Sequence, residues 1–215
     1  MFLDHVVSVA ASLWRCYAVQ EDGTLWAWGD WAFGGKTVDG AEILMKNTAA
    51  VACSTEQLYA VLTKEQEVYV GGAYYVEETG ESVFLDAPIH IASGISEVSG
   101  CCEHGFLLLA ADGTVYHYQL DKGTEEIAGD GLHLCGSGFL KADRTLWYVP
   151  SDGVPFCLAE DVVNANCQYS MLNYVQSDGT ISLTDTLGNV KRQYAVTDFA
   201  PNRWWISQLA FWKWL

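Results

Sequence analysis

The stretch CYAVQEDGTLWAWGD, residues 16–30, carries the pattern on which the fold assignment rests. An apolar segment leads to Asp22-Gly23, and the segment that follows alternates large side chains with small ones. Asp-Gly is a preferred two-residue turn between antiparallel strands, because both positions accept a positive φ. Residues 16–30 are therefore predicted to form a β-hairpin.

Related hairpins recur along the chain. Their predicted turns are Glu65-Gln66, Asp112-Gly113, Asp143-Arg144 and Asp178-Gly179. Each hairpin is preceded by a short apolar segment that ends in small residues, as in VVSVAAS, AAVACS, SEVSGCC, LHLCGSG and VVNANC. Three or four short strands in a repeat of roughly 30 to 50 residues are typical of a β-propeller blade.

We therefore predict an all-β fold, a β-propeller of about five to six short blades in a single domain spanning residues 1–215. The predicted repeats cover residues 5–48, 49–94, 95–130, 131–161 and 162–196, followed by a C-terminal closing segment, 197–215. We expect the N- and C-terminal segments to pair within one blade, because this would close the ring and remove exposed sheet edges. The tail contains Trp204, Trp205, Trp212 and Trp214, which either dock on the protein's own body or form an amphipathic helix.

The first copy, VVSVAASLWRCYAVQEDGTLWAWGDWAFG, resembles the repeat of the regulator of chromosome condensation family. That repeat has an inner strand ending in Ala or Gly, an aliphatic strand, a D-G turn and a strand ending W-G-x-N. Later copies here keep the inner strand and the turn. The resemblance implies a propeller, usually seven-bladed, that presents loops to a protein. Known members promote nucleotide exchange on a small GTPase with chromatin attachment, or inhibit β-lactamases.

The charge balance restricts the class of partner. The chain has 27 Asp and Glu residues against 11 Lys and Arg, which gives a formal net charge of −16. This charge repels nucleic-acid phosphates and would attract a basic protein surface. No apolar run approaches the roughly 20 residues of a membrane span. Asp4 and His5 interrupt the apolar core that a signal peptide would need, and the cysteine count is odd, so we expect a cytoplasmic protein with reduced thiols.

The sequence contains no motif for catalysis or for a cofactor, and we predict neither. Cys53, Cys101, Cys135 and Cys167 fall at nearly the same place in four copies. They are interpreted as small buried thiols near the axis, with a four-thiolate metal site as the alternative. Cys102 and His104 lack a recognisable orienting carboxylate.

These observations predict a non-enzymatic protein-binding scaffold or inhibitor that presents acidic and aromatic loops from one propeller face. The predicted partner-binding residues follow the third strands of the first two copies. They are Trp31, Phe33, Tyr74, Tyr75, Glu77 and Glu78. The alternative function is a small-ligand, sugar or metal binder that uses an axial pocket.

Overall fold

A computed structural model describes residues 3–12, 14–33, 36–54, 57–76, 80–101, 105–151, 153–168 and 171–195. These residues form five antiparallel β-sheets, and no helix occurs among them. The sheets follow one another along the chain. We call them blades 1 to 5.

The strands of each blade are as follows. Blade 1 contains β1 (Val6–Ala11), β2 (Arg15–Gln20), β3 (Leu25–Phe33) and β4 (Lys36–Met45). Blade 2 contains β5 (Thr48–Cys53), β6 (Leu58–Thr63), β7 (Val68–Val76), β8 (Glu81–Phe84) and β9 (Ile89–Ala92). Blade 3 contains β10 (Ile95–Cys101), β11 (Gly105–Ala110), β12 (Val115–Gln119) and β13 (Gly123–Ala128). Blade 4 contains β14 (Gly131–Leu134), β15 (Gly138–Lys141), β16 (Leu146–Tyr148) and β17 (Phe156–Ala159). Blade 5 contains β18 (Val162–Gln168), β19 (Met171–Gln176), β20 (Thr180–Thr184) and β21 (Val190–Ala195).

Consecutive strands pair in every blade, so each sheet is a meander. Blade 2 differs because β7 pairs with both β8 and β9. The fold class predicted from the sequence is confirmed, and so are all five hairpins.

The hairpin turns share one backbone conformation. The second turn residue has a positive φ in every copy: Gly23 (89°), Gln66 (66°), Gly113 (91°), Arg144 (68°) and Gly179 (86°). In four copies the aspartate at the turn accepts a hydrogen bond from the backbone amide two residues later, at 2.8 or 2.9 Å. The amide bonds from Thr24, Thr114 and Thr180 lower the pKa of Asp22, Asp112 and Asp178. The pKa of Asp143 is lowered by the hydroxyl of Thr145, which donates at 2.7 Å, and by the Thr145 amide.

The same turns connect each blade to the next. The carbonyl of the positive-φ residue accepts a hydrogen bond from the first residue of the following blade's inner strand. The four bonds are Thr48 N to Gly23 O (2.9 Å), Ile95 N to Gln66 O (3.0 Å), Gly131 N to Gly113 O (2.8 Å) and Val162 N to Arg144 O (2.9 Å). The left-handed turn therefore fixes the position of one blade, along the direction of its strands, relative to the next blade.

Apolar packing fills each of the four junctions between consecutive blades. At the first junction, one face of blade 1 packs on the opposite face of blade 2, and the buried residues are Tyr17, Val19, Leu25, Ala27, Val51, Tyr59 and Val61. The other three junctions contain equivalent clusters. The core is thus divided among the interfaces, and no blade has a core of its own.

The other face of blade 1 is less covered. Val9 on this face is 60% exposed, whereas the residue at the same position in blade 2, Val51, is 6% exposed. Trp26 and Trp28 lie on the same face as Val9 and are half-buried. Blade 1 is built from its own four strands, and the predicted closing segment, 197–215, lies outside the described residues. Closure by the two termini stays a prediction.

The close approach of the inner strands can be tested at two glycines that differ in the space available for a Cβ atom. A Cβ on Gly100 would lie 1.8 Å from the carbonyl oxygen of Cys53 in the neighbouring blade, whereas a Cβ on Gly129 would have no atom within 4 Å. We expect Gly100→Ala to lower the free energy of unfolding by about 3 kcal/mol, because the inner strands of blades 2 and 3 must separate. Gly129→Ala should leave it within about 0.5 kcal/mol of wild type. Urea unfolding measures both, and equal stability of the two variants would contradict this packing.

Candidate functional site

Two hairpins project from the end of the blades that lies opposite the Asp-Gly turns. In blade 1, β3 pairs with the C-terminal part of β4 within the sheet and then continues to the pair Phe33–Lys36. In blade 2, residues 68–70 of β7 pair with β9, while residues 73–76 pair with β8. Each third strand therefore leaves its sheet and extends a hairpin beyond it.

A glycine marks the point at which each hairpin leaves the sheet. Gly29 and Gly72 have φ values of 102° and 107°, and a Cβ at either position would lie 2.2 Å from a carbonyl oxygen of the loop between the first two strands of its blade. The amide of Asp30 bonds to the Trp14 carbonyl (2.9 Å), and the amide of Ala73 bonds to the Gln57 carbonyl (3.1 Å). The glycines permit this contact between hairpin and loop.

We call the surface formed by residues 29–33, 36–38, 72–76 and 80–85 together with Trp14 the hairpin face. The two third strands that extend these hairpins, β3 and β7, contact each other. Large apolar side chains are exposed on the hairpin face: Trp14 (63%), Tyr75 (43%), Val83 (38%) and Phe84 (36%). The pairs Ala73–Phe84 and Tyr75–Ser82 place Tyr75 and Phe84 on the same side of their hairpin. Exposed apolar residues grouped in this way are typical of an interaction surface.

The structure locates part of the predicted partner-binding set. Tyr74 is half-buried and Tyr75 is exposed, both in β7. Trp31 and Phe33 lie in the projecting part of β3. Glu77 and Glu78 lie outside the described residues. The part played by all six residues in binding stays a prediction.

Sequence reasoning missed Trp14 and Phe84. Trp14 lies in the loop before β2, just as Gln57 lies in the loop before β6. An alignment of the copies could have found this signal, because a large aromatic residue in the first copy stands where the next copy has a polar residue. Phe84 is preceded by no turn motif, and only its pairing with Ala73 shows that it belongs to the hairpin.

Acidic groups lie beside the exposed aromatic residues. Glu81 begins β8 and Asp86 follows it, and both side chains are exposed. Asp30, in the first hairpin, is exposed as well. A surface that combines aromatic side chains with carboxylates is suited to a basic protein segment.

The four equivalent cysteines do not meet at one point. Cys135 and Cys167 lie together at the junction of blades 4 and 5, where the Cys167 amide bonds to the Cys135 carbonyl (2.9 Å). Cys101 lies at the junction of blades 3 and 4, with its Sγ 3.9 Å from Nε2 of His117. Cys53 lies at the junction of blades 1 and 2. Within the described ranges, no three His, Cys, Asp or Glu side chains are grouped so that they could hold a metal ion.

The thiols of Cys53 and Cys135 are held in their neutral form. Burial raises the pKa of Cys53 to about 12. A hydrogen bond with Cys167, together with burial, raises the pKa of Cys135. Thiolates are the reactive and metal-binding form of cysteine, so this environment disfavours both kinds of chemistry. The Cys101–His117 pair is buried as well, at 0% and 3% exposure, and substrate could not reach it without opening the junction.

One exposed group contains the residue types of a catalytic triad. Glu67 Oε2 lies 2.7 Å from Ser93 Oγ and 2.5 Å from His90 Nε2, while Ser93 Oγ is 3.4 Å from the same nitrogen. In a proton relay the carboxylate and the hydroxyl contact opposite nitrogens of the ring. Here they share one nitrogen, so the group works as a hydrogen-bonded brace of blade 2. The bonds from Ser93 and His90 lower the pKa of Glu67.

A titratable contact spans blades 3 and 4. His133 Nδ1 lies 2.9 Å from the Glu97 carboxylate, which also accepts the backbone amide of Leu134 at 2.9 Å. The bond to Glu97 raises the pKa of His133. This contact joins the inner strands β10 and β14.

Solved structures with the same architecture were found by comparison. Human WBSCR16 superposes with a TM-score of 0.67 and 16% sequence identity, over 86% of this chain. Prp20p from Saccharomyces cerevisiae, the yeast RCC1 protein, superposes with a TM-score of 0.62 and 14% identity, over 84% of this chain. The chain has the fold of an RCC1-type β-propeller. The structural part of the resemblance noted in the sequence is thereby confirmed.

The five blades match only part of these propellers. The chain spans 64% of the length of WBSCR16 and 57% of the length of Prp20p. Prp20p has binding properties towards Gsp1p and histones. No protein-family model matches the chain, and no curated protein sequence matches it. None of the described segments forms a helix that is long and apolar enough to cross a membrane.

The His133–Glu97 contact predicts a pH dependence of the propeller's stability. The folded state raises the pKa of His133 above its usual 6.5. The contact therefore contributes fully to the stability of the folded protein below pH 6.5, and this contribution is lost as the pH rises through the folded-state pKa. We expect wild type to exceed His133→Gln in free energy of unfolding by less than about 1 kcal/mol near pH 5.5, since His133 is well exposed. Near pH 8 that difference should shrink. Urea unfolding of both proteins measures it, and a difference that grows with pH would contradict the assignment.

Proposed function

We propose that the chain is a protein-binding module that captures its partner with the hairpin face. The observation that carries the proposal is the grouping of the exposed aromatic residues Tyr75 and Phe84 on the hairpin that blade 2 extends beyond its sheet, with the exposed Trp14 in a loop of the adjacent blade 1. The described part of this surface is partly apolar. Aromatic residues in such a position are favoured as binding anchors.

The opposite end of the blades is already engaged in internal contacts. Its turn carbonyls bind the next blade, and its charged side chains pair with one another. Lys141 lies 2.9 Å from Asp130, and Arg144 lies 3.1 Å from Asp161. A partner at that end would compete with contacts that hold the blades together, which favours the hairpin face.

The charge of the chain favours a basic partner. Glu81 and Asp86 border the aromatic residues, and the whole chain has a formal net charge of −16. Such a field accelerates encounter with a basic surface and makes association sensitive to salt. A scaffold and an inhibitor would use the same face. The axial-pocket alternative receives less support, because the cysteines expected to line that pocket lie within the junctions.

Truncation of the exposed aromatic residues tests the proposal. The double variant Tyr75→Ala, Phe84→Ala should weaken partner binding at least about tenfold, because loss of interface anchors costs more than about 1.4 kcal/mol. The partner is first captured from a native extract on immobilised wild type at low salt and identified, and its affinity is then measured by surface plasmon resonance.

The control is Ile43→Ala, which truncates another exposed apolar side chain of blade 1, on its outer strand β4. It should bind like wild type. Equal affinity of the double variant and wild type would contradict the hairpin face, and so would a loss of affinity in Ile43→Ala as large as in the double variant.

A further inference from the structure

A buried arginine breaks the pattern of the repeat at the junction of blades 1 and 2. Arg15 opens β2 and pairs with Gly29, just as Leu58 opens β6 and pairs with Gly72. The Leu58 side chain is fully buried among apolar residues. Arg15 is only 2% exposed, so a guanidinium takes the place that a leucine side chain has in the next copy. Local departures of this kind are concentrated at functional sites.

The guanidinium is only partly satisfied. One of its terminal nitrogens, Nη1, donates to the carbonyl of Gln57. Nε and Nη2 are buried and have no hydrogen-bond partner. No described carboxylate forms an ion pair with Arg15. Burial of a cation without a counter-charge costs several kcal/mol, so the arrangement calls for an anion.

Three described side chains near the guanidinium, those of Tyr17, Cys53 and Tyr59, do not supply that negative charge. Burial raises the pKa of Tyr59 to about 12, raises the pKa of Cys53 to about 12 and moves the pKa of Tyr17 higher still. The positive charge of Arg15 opposes each of these shifts, which places the three groups close to the guanidinium. All three stay neutral at physiological pH despite its presence.

Other unpartnered polar groups adjoin the guanidinium. The hydroxyl of Tyr17 is buried beside the Arg15 guanidinium, which lowers the pKa of Tyr17 against the larger opposing effect of burial, and the Tyr17 ring lies 5.1 Å from that of Tyr59. The hydroxyl of Ser12 is also unpartnered, and the Ser12 amide donates to the Arg15 carbonyl. The side-chain oxygen of Gln57, the residue whose backbone carbonyl binds Arg15, is buried without a partner as well. An amide can turn its NH₂ to the same place, so each of these three side chains can offer a donor.

We propose that this junction binds a small planar oxyanion of the carboxylate type. Nε–H and one N–H of Nη2 lie on the same edge of the guanidinium and form the fork that holds two carboxylate oxygens at once. The Tyr17 hydroxyl, which lies near Arg15, supplies a further donor. Because the fork is enclosed between two blades, its ligand is a free small anion and not the side chain of a large partner.

Thermal unfolding in formate tests the proposal, with chloride at equal ionic strength as the reference. Formate should raise the Tm of wild type by about 3 °C above the chloride value, because a ligand of the folded state adds to its stability. Arg15→Leu, which copies the residue of blade 2, should fold and lose this increment. Tyr17→Phe should keep part of it, since only one donor is removed.

The matched control is Arg144→Leu, which removes an exposed arginine that pairs with Asp161. Its response to formate should equal that of wild type. The proposal is overturned if formate and chloride act alike on wild type, or if Arg15→Leu responds to formate as wild type does. If Arg15→Leu does not fold, an undiminished formate response in Tyr17→Phe overturns it.

Discussion

The structure depends on the left-handed residue at the second position of the first four hairpin turns, because this residue forms a backbone contact with the next blade. A blade with four short strands cannot bury both of its faces, and its apolar residues are covered only by its neighbours. The backbone carbonyl of Gly23, Gln66, Gly113 or Arg144 reaches the first inner-strand amide of the next blade and fixes the height at which the two faces meet. The apolar clusters at the junctions require this alignment.

The sequence predicted the features that repeat and missed those that occur once. Alternating apolar residues around a two-residue polar turn predicted all five hairpins, including those at Glu65-Gln66 and Asp143-Arg144, where Gln66 and Arg144 adopt the positive φ in place of glycine. The equivalent cysteines were expected to converge, but they do not share one face of their strands. Cys53 and Cys167 lie on the face towards the preceding blade, whereas Cys101, which pairs with Gly105, lies on the opposite face. A shift of one residue moves a side chain to the opposite face of a strand, so similar spacing alone could not fix their positions.

The candidate site was predictable in part for the same reason. The aromatic residues after the third strands drew attention to β3 and β7, and the structure shows that both strands extend beyond their sheets. The sequence could not show that Trp14 lies beside them, because that contact depends on the approach permitted by Gly29. Arg15 was hidden as well, since its burial follows from the packing of blade 2 against blade 1. One end of the blades is therefore held by internal hydrogen bonds, while the other carries exposed aromatic side chains that are available to a partner.

Hydrogen exchange of the backbone amides tests the central claim most directly. The amides of Thr48, Ile95, Gly131 and Val162 each begin an inner strand, where fraying would ordinarily make exchange fast. If the turn carbonyls align the blades, these four amides should exchange as slowly as amides inside the second strands, such as that of Val61. Exchange as fast as that of unbonded loop amides would contradict the account, because the blades would then be held in place by something other than the turns.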